Sequence, residues 1–160
     1  MSDIKLGIIG AGYIAREHLK VIQDIAGISV VGITSRTISK AKELSNDYQI
    51  EHVCNNVYEL IEKCAIDALL VFVSADQVFT VTEKLIPQQI PLFIEKPSGL
   101  VPEETYTLFK LADENGTKNM VALFSMLPLT NIVLLLPAIY RLFSNTNTGF
   151  DITSMKKPKI

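Results

Sequence analysis

The sequence predicts an α/β domain: a doubly wound parallel sheet covered on both faces by helices, giving three layers. Three observations predict it. Short β-branched runs alternate with helix-patterned segments from the start of the chain to about residue 124. The first run ends in a glycine-rich turn, the usual join between a buried strand and a helix in such sheets. A central run, Asp67 to Val73 (DALLVFV), has the unbroken apolar content of a strand buried on both sides. Strand–helix alternation gives parallel strands, and ligands then sit beyond the carboxyl ends of those strands.

Ile4 to Ile9 (IKLGII) reads as the first strand, and Ile14 to Ala26 as a helix with apolar residues at 15, 19, 22 and 26. Between them Gly10-Ala11-Gly12-Tyr13-Ile14-Ala15 has the spacing G-x-G-x-x-A. Gly10 permits the tight turn, and Gly12 leaves room for a pyrophosphate to approach the backbone. Ala15 lets helix and strand pack closely, while the free N–H groups around Tyr13 and Ile14 face the anion. Glycines also occupy ordinary turns. The strand–turn–helix context is what points to dinucleotide binding.

Ile28 to Thr34 is the second strand, and Thr37 or Ser39 caps a helix running through Asp47. His52 to Cys54 forms a short strand before a helix over Val57 to Cys64. After Asp67–Val73, a helix spans Asp76 to Ile86 and is ended by Pro87. Pro91 to Glu95 is the fifth strand. Pro102 opens the next helix with Glu103 and Glu104 in its first turn, and Asn115-Gly116 stops it. Asn119 to Phe124 is a sixth strand. The loops after residues 9, 34, 73 and 95 therefore converge on one cleft, which brings Val73 and Ser74 beside the glycine turn.

An acidic residue ending the second strand would bind the ribose 2′-hydroxyl of NAD and repel the 2′-phosphate of NADP. Ser35 and Arg36 stand there instead. A hydroxyl beside a guanidinium suits a phosphate, supplying donors and charge together. Alone, Arg36 reads equally well as a solvated loop residue. With the glycine turn, the pair favours NADP over NAD.

Composition narrows the classes. At 160 residues the chain suits one domain of ordinary size. Its net charge of −2, with signs mixed, gives no nucleic-acid footprint. Cys54 and Cys64 fit neither a zinc site nor a redox pair, so two reduced thiols, no metal and a cytoplasmic setting are expected. The N-terminus lacks the pattern of a secretory signal.

Together the GAGYIAREH turn and helix, Ser35-Arg36, DALLVFV, PLFIEKP and PEETYTLFKLADENG cover residues 3 to 124. This region resembles the nucleotide-binding half of the glucose–fructose oxidoreductase / inositol dehydrogenase / MocA (Gfo/Idh/MocA) family. Glu95-Lys96-Pro97 is its most discriminating piece. The resemblance implies that Lys96 lies beside the nicotinamide and the reacting carbon of the substrate, as a catalytic residue. It implies that Glu95 holds the nicotinamide ribose, and it is compatible with a cis Lys96-Pro97 peptide. An ammonium at a strand's carboxyl end suits that role, because it donates to a hydroxyl or alkoxide. The family often carries a histidine where His18 stands; a helix histidine more often packs or hydrogen-bonds locally than does chemistry, so His18 is assigned no catalytic role. Ser74 and Val78 depart from the proline and histidine common in that loop.

The larger departure follows Phe124. The family there continues into a second domain that bears most substrate contacts and its proton-transfer groups, and this sequence has none of those features. Residues 125–160 form an atypical apolar tail with three readings: a membrane span, which Pro128 and Pro137 oppose; a replacement helix over the sheet; or a truncated or out-of-frame product, which the abrupt compositional change favours. The resemblance implies hydride transfer between a nicotinamide and a sugar, cyclitol or nucleotide-sugar hydroxyl, with this short chain binding cofactor but turning over little or not at all. The alternative is a non-catalytic dinucleotide-binding or oligomerisation module. Expected partners are the dinucleotide, a small polyol or sugar for a complete enzyme, and a second copy of the chain.

Overall fold

The computed structural model describes residues 4–122. Strands and helices alternate along them as β1 (Ile4–Ile9), α1 (Tyr13–Ile22), β2 (Ile28–Thr34), α2 (Ile38–Tyr48), β3 (His52–Cys54), α3 (Val57–Lys63), β4 (Ala68–Val71), α4 (Ala75–Leu85), β5 (Leu92–Ile94), α5 (Pro102–Asn115) and β6 (Asn119–Val121). The strands build one sheet in the order β3-β2-β1-β4-β5-β6, with every neighbouring pair parallel. The chain winds outward from β1 through β2 and β3, then returns to β1's other flank and winds outward through β4, β5 and β6. The connections after β1 and β4 leave in opposite directions, which opens a crevice at the carboxyl edge.

Two apolar layers flank the sheet. On one face Leu19, Ile22, Ala41 and Leu44 of α1 and α2 pack on Leu6, Ile8, Ile33 and Leu70. On the other, Leu60, Val78, Leu85 and Leu108 of α3, α4 and α5 pack on Ile9, Leu69, Val71 and Leu92. Alternate residues of β4 serve opposite layers, and all four are fully buried. Each of its larger side chains contributes about 1.5–3 kcal/mol by leaving water. This central strand therefore anchors both layers.

β1, β2, β3 and α5 occupy the residues that the sequence predicts. α1 stops at Ile22 rather than Ala26. The N–H groups of Asp24 and Ile25 reach carbonyls three residues back and tighten the last turn. Ile25 stays buried, so the apolar spacing outruns the helix. β4 is shorter than DALLVFV at both ends: the Lys5 N–H takes the Asp67 carboxylate at 2.8 Å, and beyond the Phe72–Ile9 bond β1 turns away at Gly10. Pro87 does not end α4 directly but lies in a 3-10 turn, Ile86–Gln88, that follows it. α2 extends to Tyr48, α3 closes at Lys63, α4 starts at Ala75, and β5 contracts to Leu92–Ile94. β6 ends at Val121 rather than Phe124: Ala122 still donates its N–H to the Ile94 carbonyl but lies outside the strand, and residues 123–160, the tail included, lie outside the described residues. Among the described residues no helix is long and apolar enough to cross a membrane.

Candidate functional site

Two glycines after β1 answer to different constraints. Gly10 has φ 108, and a Cβ there would stand 2.2 Å from the Phe72 carbonyl oxygen. Backbone and neighbour both require glycine. Gly12 has φ −88, open to any residue, and a Cβ there meets nothing within 4 Å among the described residues. What a side chain at Gly12 would fill is open space above the start of α1. That start carries neither a side-chain cap nor an acidic residue in its first turn, so its N–H groups remain available to an anion. Ala15 is fully buried, which seats the helix against the sheet. Tyr13 is 73% exposed and Ile14 half-buried at the mouth of this turn.

A cleft of about 210 Å³ opens beside the turn, lined by Gly12, Tyr13, Arg16, Lys40 and Glu43 among others. Arg16 spans it from α1 to α2, bonded to Glu43 at 2.5 Å and Asp47 at 2.6 Å. Lys40 is a cation of this cleft that the motif reading passes over; its position in the first turn of α2, five residues after Ser35, is the signal that would have found it. At the end of β2, Ser35 is half-buried and Arg36 exposed. The Ser35 Oγ accepts from the Thr37 N–H at 3.2 Å, which leaves its hydroxyl proton to donate.

After β4, Val73 is half-buried and Ser74 exposed at the N-cap of α4. The Ser74 hydroxyl, Gln77 and the charge on Arg36 hold the Asp76 carboxyl below the usual carboxylate range. Arg36 thus lies within electrostatic reach of the loop after β4, as the convergence of strand ends requires.

The end of β5 differs from the motif reading in one respect. Glu95 is buried, and its carboxylate is engaged inside the protein: Oε1 lies 2.7 Å from His18 Nε2, and Oε2 accepts the Lys96 N–H at 3.1 Å. A ribose would reach only the remaining lone pairs of these oxygens. Lys96 is exposed, and the Lys96–Pro97 peptide is cis. His18, read from the sequence as a packing residue, does pack, stacking on Phe72 at 4.3 Å, but it also reaches Glu95 from α1. The partnership spans 77 residues of sequence, and no local pattern announces it.

A parallel sheet reversing at β1/β4, with a bare glycine and an uncapped helix start at that reversal, defines a dinucleotide-binding Rossmann domain. Residues 4–123 match the model of the Gfo/Idh/MocA family, described as an oxidoreductase family with an NAD-binding Rossmann fold, and the chain belongs to that family. An Escherichia coli K12 protein described as the uncharacterized oxidoreductase YgjR is 25% identical over 112 residues, covering 70% of this chain and 34% of that one. Among solved structures, a 3-ketoreductase from Actinomadura kijaniata in complex with TDP-benzene and NADP is 26% identical, with TM-score 0.67 over 75% of this chain and 37% of that one. A myo-inositol 2-dehydrogenase from Lactobacillus plantarum shares the fold at 20% identity, with TM-score 0.68 over 76% and 36%. The chain spans about a third of the length of the curated relatives it matches.

Proposed function

We propose that this domain binds NADP(H) in preference to NAD(H) and serves an oxidoreductase acting on a secondary alcohol of a sugar, cyclitol or nucleotide sugar. The observation that carries the reading is the open space over Gly12 at an uncapped helix start, beside the sheet reversal. The turn from Gly10 to Ile14 would hold the diphosphate. Ser35 and Arg36 would take the adenosine ribose and its 2′-phosphate, with Lys40 adding charge from α2. Val73 and Ser74 would line the opposite wall.

Hydride exchange is the chemistry that a nicotinamide supplies when bound. Lys96, exposed at the end of β5, would donate to the substrate hydroxyl and hold it in line. Glu95 would fix the backbone from which that lysine extends. The neighbours' names support the class: one is a 3-ketoreductase in complex with TDP-benzene and NADP, another a myo-inositol 2-dehydrogenase. The proton-transfer groups that family resemblance assigns to a second domain are not among the described residues, so turnover would require that they be supplied. Residues 125–160 are read as an atypical apolar tail in place of that second domain.

Fluorescence titration with NADPH and NADH tests the proposal. Saturable binding with NADPH the tighter ligand is expected, and absence of saturation with either would overturn it. Ser35→Asp should move the preference toward NADH by about tenfold or more, since a carboxylate there repels the 2′-phosphate at a cost of about 1.4 kcal/mol or greater; an unmoved ratio would refute the assignment of Ser35. A second, non-catalytic reading is favoured by Tyr106 and Phe109, which stack at 6.4 Å on the exposed face of α5 as an interaction surface would. Turnover of a polyol panel with NADP, after addition of a second domain from a relative, separates the two.

A further inference from the structure

We propose that His18 is a positioning residue that couples the diphosphate-binding helix to the Glu95–Lys96 turn. This rests on the cofactor reading above for its functional meaning, but not for the link itself. His18 and Glu95 are both at least nine-tenths buried, at 6% and 4% exposure, and meet at 2.7 Å. A carboxylate is almost never buried unless paired. A site that needed only packing between Phe72 and Phe93 would be filled by an apolar side chain. The polar pair therefore has a purpose beyond occupying volume.

The geometry gives that purpose. The His18 ring lies flat on Phe72, 8° from parallel, and edge-on to Phe93 at 5.7 Å. Phe72 and Phe93 themselves meet edge to face. The ring is thus held in one orientation by the ends of β4 and β5. Its Nδ1 is buried without a partner among the described residues. A neutral ring that leaves no buried donor idle carries its proton on Nε2 and donates it to Glu95. Glu95 then has one oxygen fixed by α1, and its other oxygen receives the Lys96 N–H.

One continuous chain of contacts results. It runs from the helix that begins at Gly12, through His18 and Glu95, to the backbone of Lys96. The placement of the Lys96 backbone is then tied to the position of α1. His18 touches no substrate and carries out no proton transfer.

The test uses two variants of the 160-residue chain and three readouts. His18→Phe keeps an aromatic ring on Phe72 but removes the bond to Glu95. His18→Gln places an amide N–H near the position of Nε2 and restores it. The first readout is the Lys96 backbone amide in a ¹H–¹⁵N spectrum of the ligand-free chain, shifted downfield by its carboxylate acceptor. The others are affinities for NADPH and for ADP, which carries the diphosphate but neither the second ribose nor nicotinamide. We expect His18→Phe to lose the downfield shift and to weaken NADPH about tenfold, within the usual 5–150-fold range of site-to-site coupling. ADP affinity should hold, and His18→Gln should recover most of both losses.

An unmoved Lys96 amide in folded His18→Phe would overturn the link. Equal weakening of NADPH and ADP would overturn positioning in favour of a merely structural role, as would a failure of His18→Gln to rescue. Should His18→Phe not fold, His18→Leu decides instead: it fills the site with an apolar side chain, leaves Glu95 intact, and must lose the Lys96 shift if the inference holds. A wild-type chain that binds neither nucleotide overturns the cofactor reading alone, and the Lys96 amide then decides the link.

Discussion

α1 and α3 both start at the carboxyl edge of the sheet, yet their first turns are treated in opposite ways. α3, beside the edge strand β3, begins under a full set of side-chain partners. Asn56 Oδ1 accepts the Glu59 N–H at 3.0 Å, and Glu59 in return takes the Asn55 N–H and side-chain amide, each at 2.8 Å. Lys63 completes the arrangement on Glu59 at 2.6 Å. α1, beside the central strand β1, begins at a bare glycine with no side chain turned back on its N–H groups. Capping contributes stability wherever a helix end meets only water. Its omission at the centre of the sheet leaves donors for a ligand. The contrast separates a helix start built for the fold from one built for binding.

The largest effect expected is at Gly10. Gly10→Ala forces a side chain into left-handed backbone and onto the Phe72 carbonyl, so loss of more than about 3 kcal/mol is expected in urea unfolding. A stable Gly10→Ala protein would mean that the turn has another shape. Gly12→Val sharpens the comparison. The melting temperature should stay close to that of the parent, because a Cβ there meets nothing within 4 Å among the described residues. Dinucleotide affinity should fall about a hundredfold, the equivalent of one or two lost charge-assisted hydrogen bonds. Reversed behaviour, an unfolded chain or an unchanged affinity, would break the distinction between the two glycines.

Asn56→Ala is the counterpart at α3. A stability loss of about 1 kcal/mol is expected in the same urea titration, with cofactor affinity untouched. An affinity change there would show that the two helix starts are not independent. The smallest effect concerns Glu59. Lys63 and Asn55 draw its carboxyl down to about 2 from 4.5. A depressed folded value means that its stabilisation is complete above the unfolded value and disappears as pH falls from 4.5 toward 2. Glu59→Gln should therefore narrow its gap from the parent chain over that window. The gap stays small because the ion pair lies at the surface, where solvent screens it, and a gap that grows as pH falls would reverse the sign.

The parts of the molecule written in local pattern are legible in the sequence alone. β1, β2, β3 and α5 follow from β-branched runs, a proline at the first helical position and a glycine at the last. The glycine turn was legible because each glycine answers to backbone or space within a few residues. Ends were harder. Ile25 is buried beyond the α-helix, so periodicity ran on to Ala26, and β4 stops where its neighbour turns away, which only pairing reveals. The His18–Glu95 contact was hidden for a related reason. A histidine packing on a helix and a glutamate ending a strand give no sign of one another until the fold brings them together. Lys40 was legible in principle, from its place in the first turn after the second strand.

The pairing of β1 with β4 has a consequence for synthesis. Leu6 finds Ala68 and Ile9 finds Val71, so one edge of the first strand waits for a partner more than sixty residues behind it on the ribosome. Until then an apolar, hydrogen-bonding edge is uncovered, the kind of surface that recruits chaperones or aggregates. Long-range parallel closure is also slow. Slowing translation just after residue 71 should therefore raise the soluble yield of this chain more than slowing it anywhere in the first thirty residues.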